Sequence, residues 1–407
     1  MSKKVKLNSR KLVAIGLTAL ILLGSSLAVL ALNNSRKDQP AGTSSVTAPK
    51  KEEAKKEDSS FDFAMVGDML PHDTVNQAAK QTDGSFDYLS LISPELQQSF
   101  KKADLRFCNQ ESPSAAQIST QGYPAFNAPI KFPEDISSFG CNLISLGNNH
   151  ANDQGSAGIS QTLDEWDKLK PLGVSGVNRS AEQQSTDQVF ELRGIKVGYV
   201  SFNEVNNSAL ENNYNVNMLS SPGLIEEKIS ALRAKTDLVV VSVHWGKEDS
   251  HQLTPAQTKY AKQISDAGAD IIVGTGPHVW QPYQTIDQAD GAKTHIFYSI
   301  GNGLNSQLTA DQLFSGVAIL NIKKGDDGKV QITKPRVLPT YMHYVWGSSV
   351  GLSQAQLLSR TKLKYSTLQE SQDLIAQRND FKTTADQQIQ NLTKYLDNPA
   401  VELLQTY

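Results

Sequence analysis

Five short polar motifs occur where apolar segments of the sequence end, and they carry the side chains best suited to chemistry. The motifs are Gly67-Asp68 with His72, Asn109 with Glu111, Asn148-Asn149-His150 with Asp153, His244 with Glu248, and Pro277-His278. Carboxylates, amides and imidazoles are ligands that hydrolytic divalent metals use. Strand ends of an α/β sheet present such side chains to one shared crevice. The pattern therefore predicts a metal-centred site.

Three of the seven histidines, His150, His244 and His278, follow or interrupt the ends of runs rich in valine, isoleucine and leucine. A metal bound beside them would lower the pKa of a bound water and polarise a phosphoryl or carbonyl oxygen. His150 or His244 would then donate or accept a proton. This arrangement favours metal-assisted hydrolysis as the chemistry of the site.

Two neighbouring residues complete the set of catalytic candidates. Asp153 lies in the same motif as His150, and His72 lies close enough to Asp68 in sequence to line the same pocket. The alternative for His72 is an ordinary surface-loop histidine, and the alternative for the segment 149–153 is a solvated turn. The catalytic candidates are therefore His150, His244, Asp153 and His72.

Several other classes of function are disfavoured by what the sequence contains. A net charge of −3 gives no electrostatic case for binding nucleic acid. The sequence has no Gly-x-Ser-x-Gly elbow of a serine hydrolase and no phosphate-binding loop of an ATP-driven ligase. The two cysteines, Cys108 and Cys141, are too few for a disulfide framework, and we expect both to be small buried hydrophobic residues.

The amino terminus predicts a membrane anchor. Residues 12–32 contain no charged side chain and follow a basic segment, 1–11, which should remain cytoplasmic. As a helix, the apolar segment would span roughly 30 Å, the thickness of one hydrocarbon core. A cleavable signal peptide ending near Ala31 is the alternative. Residues 33–60, rich in Ser, Lys, Glu, Ala and Pro, predict a flexible stalk that holds the remainder outside the cell.

Alternating strand and helix patterns after residue 60 predict a layered α/β domain over 61–345. The predicted strands are 61–66, 103–108, 142–146, 195–202, 237–243, 270–273, 295–300 and 317–322. Ser93-Pro94 and Thr254-Pro255 are helix start signals, and 156–170 and 222–235 also have helical spacing. Residues 346–407 predict a helical extension with helices over 353–377 and 383–396.

Taken in order, the motifs resemble those of the CapA/PgsA family of capsule biosynthesis proteins, which act in poly-γ-glutamate synthesis and are related to calcineurin-like metallophosphoesterases. The resemblance covers about residues 61–340. The segments that carry it are Val66-Gly67-Asp68-Met69-Leu70, Asn109-Gln110-Glu111-Ser112, Leu146-Gly147-Asn148-Asn149-His150-Ala151-Asn152-Asp153, Ser242-Val243-His244-Trp245-Gly246-Lys247-Glu248, Gly274-Thr275-Gly276-Pro277-His278-Val279 and Tyr298-Ser299-Ile300-Gly301-Asn302.

The resemblance implies a four-layer α/β/β/α sandwich of the metallophosphoesterase type, with a centre for one or two divalent ions of Mn, Fe or Zn. The metal-binding residues that it implies are Asp68, Glu111, Asn149, His150, His244 and His278. This chain departs from the family pattern at two places. Gly276 stands where the family has the first histidine of His-Pro-His, and His72 or a neighbour stands where it has an arginine.

Three hypotheses for the function follow. The first is a membrane-anchored, extracellular component of poly-γ-glutamate capsule production or export, working with capsule ligase and membrane-channel components on the anionic polymer. The second is an extracellular metal-dependent phosphoesterase or amide hydrolase acting on cell-envelope material. The third, which Gly276 favours, is a non-catalytic binding module.

Overall fold

The computed structural model describes residues 59–289, 291–344, 363–376, 378 and 381–407. Within these ranges no helix has the length and apolar character needed to cross a bilayer. The predicted anchor, residues 12–32, and the stalk up to residue 58 lie outside the described residues.

The described residues form fourteen strands and ten α-helices, named here in chain order. The strands are β1 (Ser60–Met69), β2 (Leu105–Gln110), β3 (Leu143–Ser145), β4 (Gly173–Ser175), β5 (Gln188–Leu192), β6 (Ile195–Asn203), β7 (Leu238–His244), β8 (Ile271–Thr275), β9 (Tyr283–Asp287), β10 (Lys293–Phe297), β11 (Phe314–Lys324), β12 (Val330–His343), β13 (Lys364–Thr367) and β14 (Glu402–Leu403). The helices are α1 (Asp73–Ala79), α2 (Pro94–Phe100), α3 (Lys131–Phe139), α4 (Gly155–Leu169), α5 (Ala181–Ser185), α6 (Leu224–Arg233), α7 (Pro255–Asp266), α8 (Ala310–Leu313), α9 (Gln372–Ala376) and α10 (Ala385–Leu396).

Two sheets organise these elements. The first sheet has the order β13-β12-β11-β1-β2-β3-β4, with β14 paired to β12, and the second has the order β5-β6-β7-β8-β10-β9. Strands β1 to β4 run parallel to one another, as do β6, β7 and β8. The carboxyl ends of parallel strands therefore gather at one edge of each sheet, as the sequence predicted.

The described residues form three hydrophobic cores, and successive side chains of one strand point into different cores. In β1, Phe63 and Met65 pack into a core that also contains Val240 of β7, so this core lies between the sheets. Ala64 and Val66 of β1 instead join the core that includes residues of α1 to α4. The opposite face of the second sheet packs against α6 and α7. The central strands of both sheets are thus buried on both faces, and the layers follow the order helix, sheet, sheet, helix.

Side chains at the helix starts explain why two predicted helices begin where they do. The Ser93 hydroxyl accepts a hydrogen bond from the Leu96 amide at the start of α2. At α7, Thr254 and Gln257 form a reciprocal capping box followed by a proline in the first turn. Both caps satisfy amide groups that would otherwise lack a partner, so the sequence signals are confirmed.

All eight predicted strands are present with shifted ends, but the longest strand, β12, was not predicted. Its 14 residues include Pro335 and Pro339. Proline is rare inside strands, so this part of the sequence resembles a loop. The register between β11 and β12 shifts between Ile319 and Asn321, and Lys334 has a φ of 52° at that point. A bulge therefore places Pro335 where the ladder needs no amide donor.

The prediction of one helix over 353–377 is confirmed only over Gln372–Ala376, which forms α9, and is wrong over 364–367. Lys364–Thr367 forms β13, which pairs with the end of β12 and extends the first sheet. Tyr365 is fully buried in this strand, and its hydroxyl contacts Thr340 at 3.3 Å. The burial of side chains on this strand therefore outweighs the helical pattern of the local sequence. The second predicted helix is confirmed as α10.

Cys108 and Cys141 form a disulfide, which corrects the expectation of two free buried cysteines. Cys108 lies in β2, and Cys141 follows α3, so the bond joins the strand to the connection that leads into β3. Both residues are buried. The bridge closes a loop with a sequence separation of 33 beside the strands that carry the predicted metal site.

Replacing both cysteines by alanine should lower the free energy of unfolding by about 3 kcal/mol, because the bridge restricts the unfolded chain. Denaturant unfolding of the wild type and of the C108A/C141A variant measures this difference. Reductant should weaken the wild type and leave the variant unchanged. Two titratable thiols per chain in the unfolded, unreduced wild type would contradict the bridge.

Candidate metal centre

Asp68 lies at the centre of the site, near the end of β1. A side chain at Gly67 would place its Cβ 1.8 Å from the Gly301 carbonyl oxygen, so this close backbone approach requires glycine. The Asp68 carboxylate is fully buried and accepts three hydrogen bonds. Oδ1 accepts from Asn109 Nδ2 at 2.8 Å, and Oδ2 accepts from the Gly276 amide and His278 Nδ1, each at 3.0 Å.

Two strands of the second sheet bring imidazoles to the same place. His244 is the last residue of β7, and its Nδ1 lies 3.1 Å from the Thr275 hydroxyl at the end of β8. Its Nε2 lies 3.6 Å from Glu111 Oε1. His278 Nδ1 faces two acceptors, Asp68 and Asn302, and its Nε2 lies 3.8 Å from Glu111 Oε1. Both rings therefore direct Nε2 toward Glu111.

Asp68, Glu111 and His244 can each offer one ligand atom, and these atoms all lie within 4.8 Å of one another. Both carboxylate oxygens of Glu111 are buried and accept no hydrogen bond within the described part of the chain. The amide oxygen of Asn149 is buried and unpartnered in the same way. Oxygen and imidazole ligands around a buried carboxylate that accepts no hydrogen bond fit a divalent cation.

The pKa shifts in the cluster reflect this crowding of buried charge. Burial, together with the charge of Asp68, raises the pKa of Glu111 well above its usual range. Burial also tends to raise the pKa of Asp68, but the hydrogen bond and charge of His278 outweigh it and lower the pKa. For His278, burial is outweighed by the charges of Glu111 and Asp68, so its pKa rises to about 10. A cation bound beside Glu111 would displace the protons that otherwise neutralise this buried charge.

A second group of polar side chains lies near the cluster and consists of His150, Asp153 and His72. His150 Nδ1 lies 2.7 Å from Asp153 Oδ2, and its Nε2 lies 3.5 Å from Asn207 Nδ2. Phe126 contacts the edges of both the His150 and His72 rings. Burial lowers the pKa of His72 to about 4, so this ring is neutral at physiological pH. Asp153 therefore orients His150 and does not itself belong to the carboxylate cluster.

A cavity of about 340 Å³ opens beside His244. Its lining residues are Asn149, Glu204, Val205, Asn207, His244, Trp245, Gly246, Lys247, Glu248 and Gly276. Glu248, which the sequence paired with His244, is exposed at this cavity. Burial lowers the pKa of His244 to about 4, so a neutral imidazole borders the cavity.

The geometry around Gly276 explains why this position holds no histidine. Its φ is 107°, a conformation that side chains disfavour, and a Cβ would lie 2.7 Å from the Trp245 carbonyl oxygen. The same conformation directs the Gly276 amide to Asp68. Gly276 therefore contributes a backbone hydrogen bond to the central carboxylate and no side chain.

Sequence reasoning missed Asn203, which pairs with His244, Glu204, which lines the cavity, and the role of Asn302 beside His278. Asn203 ends β6 beside His244 of β7, and Glu204 follows it and accepts a hydrogen bond from the Gly246 amide at 2.8 Å. Both follow a predicted strand, so the signal used for the other motifs could have identified them. Asn302 was noted only as part of the family resemblance, yet its Oδ1 holds His278 at 3.1 Å.

Fold and site together define an α/β protein with a candidate divalent-metal centre at strand ends drawn from both sheets. The chain belongs to the bacterial capsule synthesis protein family PGA_cap, whose family model matches residues 62–307. The resemblance predicted from the motifs is therefore confirmed. Membership of this family supports a role in capsule synthesis.

Two curated relatives agree with this assignment. The chain is 27% identical over 281 residues to the PGA biosynthesis protein CapA of Bacillus subtilis (strain 168), covering 66% of this chain and 70% of that protein. It is also 27% identical over 260 residues to the capsule biosynthesis protein CapA of Bacillus anthracis, covering 61% of this chain and 60% of that protein.

Among solved structures, the NAD nucleotidase NadN of Haemophilus influenzae aligns with a TM-score of 0.44 and 12% identity, over 86% of this chain and 58% of that chain. A hypothetical protein from Thermus thermophilus aligns with a TM-score of 0.39 and 16% identity, over 68% of this chain and 99% of that chain.

Glu111→Gln should lower the affinity for a divalent metal by about 100-fold or more. Changes to residues that only orient the metal ligands typically cost roughly 10- to 100-fold, so a larger loss indicates a direct ligand. Without metal, the variant should unfold at the same temperature as the wild type or higher, because the amide need be neither protonated nor charged when it is buried. Calorimetric titration with Mn²⁺ and thermal unfolding measure the two effects. Glu165→Gln, at a buried glutamate paired with Lys168, is the control and should keep metal affinity. Unchanged affinity in Glu111→Gln would contradict the assignment.

Gly276→Ala should destabilise the protein more than Gly328→Ala, which serves as a matched control. Both glycines have positive φ, but a Cβ at Gly328 would meet nothing within 4 Å. The control should therefore lose about 1 kcal/mol from backbone strain alone. Gly276→Ala should lose more, together with metal affinity, because its amide would shift away from Asp68. Equal losses in both variants, measured by denaturant unfolding, would contradict this explanation.

Proposed function

We propose that the protein is a membrane-anchored, extracellular component of poly-γ-glutamate capsule synthesis or export, with a metallophosphoesterase-type head that binds a divalent cation. The match of the capsule synthesis family model to residues 62–307 carries this proposal, since that range includes every strand-end residue from Asp68 to Asn302. One relative is named as a PGA biosynthesis protein, and this name supports poly-γ-glutamate as the polymer of the proposal. Capsule ligase and membrane-channel components are the proposed partners.

Two features support a location outside the cytoplasm. The apolar segment 12–32 follows a basic amino terminus, the pattern of an anchor whose downstream part is exported. The bond between Cys108 and Cys141 is of a kind that persists in oxidising compartments and is rare in the cytosol. The proposed orientation therefore has residues 1–11 in the cytoplasm and the head outside.

Asp68, Glu111 and His244 would hold the cation, with His278 and Asn149 beside them as further ligands. When bound, such a cation polarises a phosphoryl or carbonyl oxygen and lowers the pKa of water. Asn109, the Gly276 amide and Asn302 keep Asp68 and His278 oriented. The binding of Mn, Fe or Zn, as one ion or two, is part of the proposal.

One observation favours a second candidate function, a metal-dependent phosphoesterase or amide hydrolase acting on envelope material. The 2.7 Å contact between His150 and Asp153 fixes the ring, and its Nε2, 3.5 Å from Asn207 Nδ2, would be the atom that transfers a proton. The replacement of an imidazole by Gly276 favours the opposite alternative, a head that binds its polymer without cleaving it. Turnover by the purified protein separates the two.

Deleting the gene from a producing cell should abolish or strongly reduce surface poly-γ-glutamate, and the wild-type gene should restore it. Glu111→Gln should fail to restore the polymer, while Asp287→Asn, an exposed carboxylate remote from the cluster, should restore it. Polymer yield and immunoblotting of each variant are the measurements. An undiminished capsule in the deletion strain would sink the proposed role.

If the head is a hydrolase, Asp153→Asn should reduce turnover by about 100-fold or more, because general acid–base catalysis contributes factors of that size. Metal content should stay at the wild-type level, since Asp153 is not part of the carboxylate cluster. Assays of phosphoester and γ-glutamyl amide substrates, with metal analysis, test this. Absence of turnover by the Mn-, Fe- and Zn-loaded wild type would instead favour the binding module.

A further inference from the structure

Two adjacent residues of opposite charge, Lys247 and Glu248, border the cavity beside His244. Both side chains are exposed, and among the described residues neither takes part in an ion pair or side-chain hydrogen bond. Exposed lysine and glutamate side chains gain little from pairing with each other in water. An ammonium and a carboxylate without an ion-pair partner within 4 Å in the described ranges therefore border the cavity on adjacent residues, and the charge of Glu248 also acts on the buried His278 and Glu111.

The backbone that carries these two side chains is fixed at several points. Gly246 has a φ of 87°, and its amide donates to Glu204 Oε2 at 2.8 Å. The Asp249 amide donates to the Pro277 carbonyl oxygen at 2.9 Å, next to His278. The loop is thus held against both imidazole-bearing segments, so the backbone positions of Lys247 and Glu248 are fixed relative to the metal centre.

The cavity adjoins the proposed cation site, because Asn149 belongs to both. Asn149 lines it and is 9% exposed, and its Oδ1 accepts no hydrogen bond within the described ranges. A buried amide oxygen without a partner is destabilising unless a cation or donor reaches it. The volume of about 340 Å³ lies within the range of about 300–1,000 Å³ typical of small-ligand sites.

We propose that this cavity binds the amino end of a γ-glutamyl chain, with Lys247 contacting the α-carboxylate and Glu248 the α-ammonium group. In a γ-linked chain every residue keeps its α-carboxylate, but only the residue at the amino end also keeps a charged α-amino group. That zwitterion matches the two unpaired charges. A phosphate monoester offers no positive group to Glu248. This inference rests on the proposed role in poly-γ-glutamate synthesis and specifies that the site recognises the amino end of the polymer.

Three synthetic peptides test the proposal by calorimetric titration of the full-length protein in detergent. The first is a γ-linked glutamate tripeptide with a free amino end. The second is the same tripeptide acetylated at that end, and the third carries a 4-aminobutanoyl group as its first residue, which lacks the α-carboxylate. The free tripeptide should bind about tenfold tighter than either analogue, because each analogue loses one charge-assisted contact.

Variants then assign each contact to its residue. Lys247→Gln should bind the free and 4-aminobutanoyl peptides equally, while still rejecting the acetylated one. Glu248→Gln should show the reverse pattern. Lys329→Gln and Glu402→Gln replace exposed residues away from the cavity and should keep the full discrimination of the wild type.

Equal affinity of the wild type for all three peptides, or no binding of any, would overturn the proposal. Discrimination that survives in both Lys247→Gln and Glu248→Gln would overturn it as well. Failure here is distinguishable from failure of the proposed function. Tripeptides that bind without discrimination leave the capsule role standing, whereas a deletion strain with a normal capsule removes that role whatever the tripeptide affinities are.

Discussion

Two fully buried carboxylates, Asp68 and Glu111, share one cluster, and the rest of the site depends on how their charge is balanced. Asp68 has three hydrogen-bond donors, whereas Glu111 has none within the described part of the chain. Burying such a pair is unfavourable unless protons or a cation compensate it. The imidazoles of His244 and His278 approach Glu111 from the second sheet, so the centre exists only when both sheets are packed together.

The four-layer arrangement explains why this convergence is rigid. Side chains alternate between the inter-sheet core and the outer helices, so a shift of one strand by one residue would expose an apolar face. Gly67 and Gly276 allow the backbones of the two sheets to approach the cluster more closely than any side chain would permit. Packing thus holds the ligands in place, and the cavity beside His244 and Lys247 leaves one side of the centre open to a ligand.

Much of this could be predicted from the sequence, because apolar runs that end in polar residues are a local signal. The strands that carry Asp68 and His244 and the family resemblance were identified in this way. Contacts between distant segments have no such signal. The Cys108–Cys141 bond, the pairing of β12 across its bulge at Pro335, and the selection of glycine at position 276 depend on tertiary neighbours that spacing does not reveal.

We propose that the strand ends of the two sheets form a cation site. Crystals of the protein soaked in Mn²⁺, with anomalous diffraction recorded at the manganese edge, test this most directly. We predict an anomalous peak within coordination distance of Asp68, Glu111 and His244, and no peak there in Glu111→Gln. Manganese bound only elsewhere in the wild type, with the cluster free of anomalous signal, would contradict the assignment of a cation site.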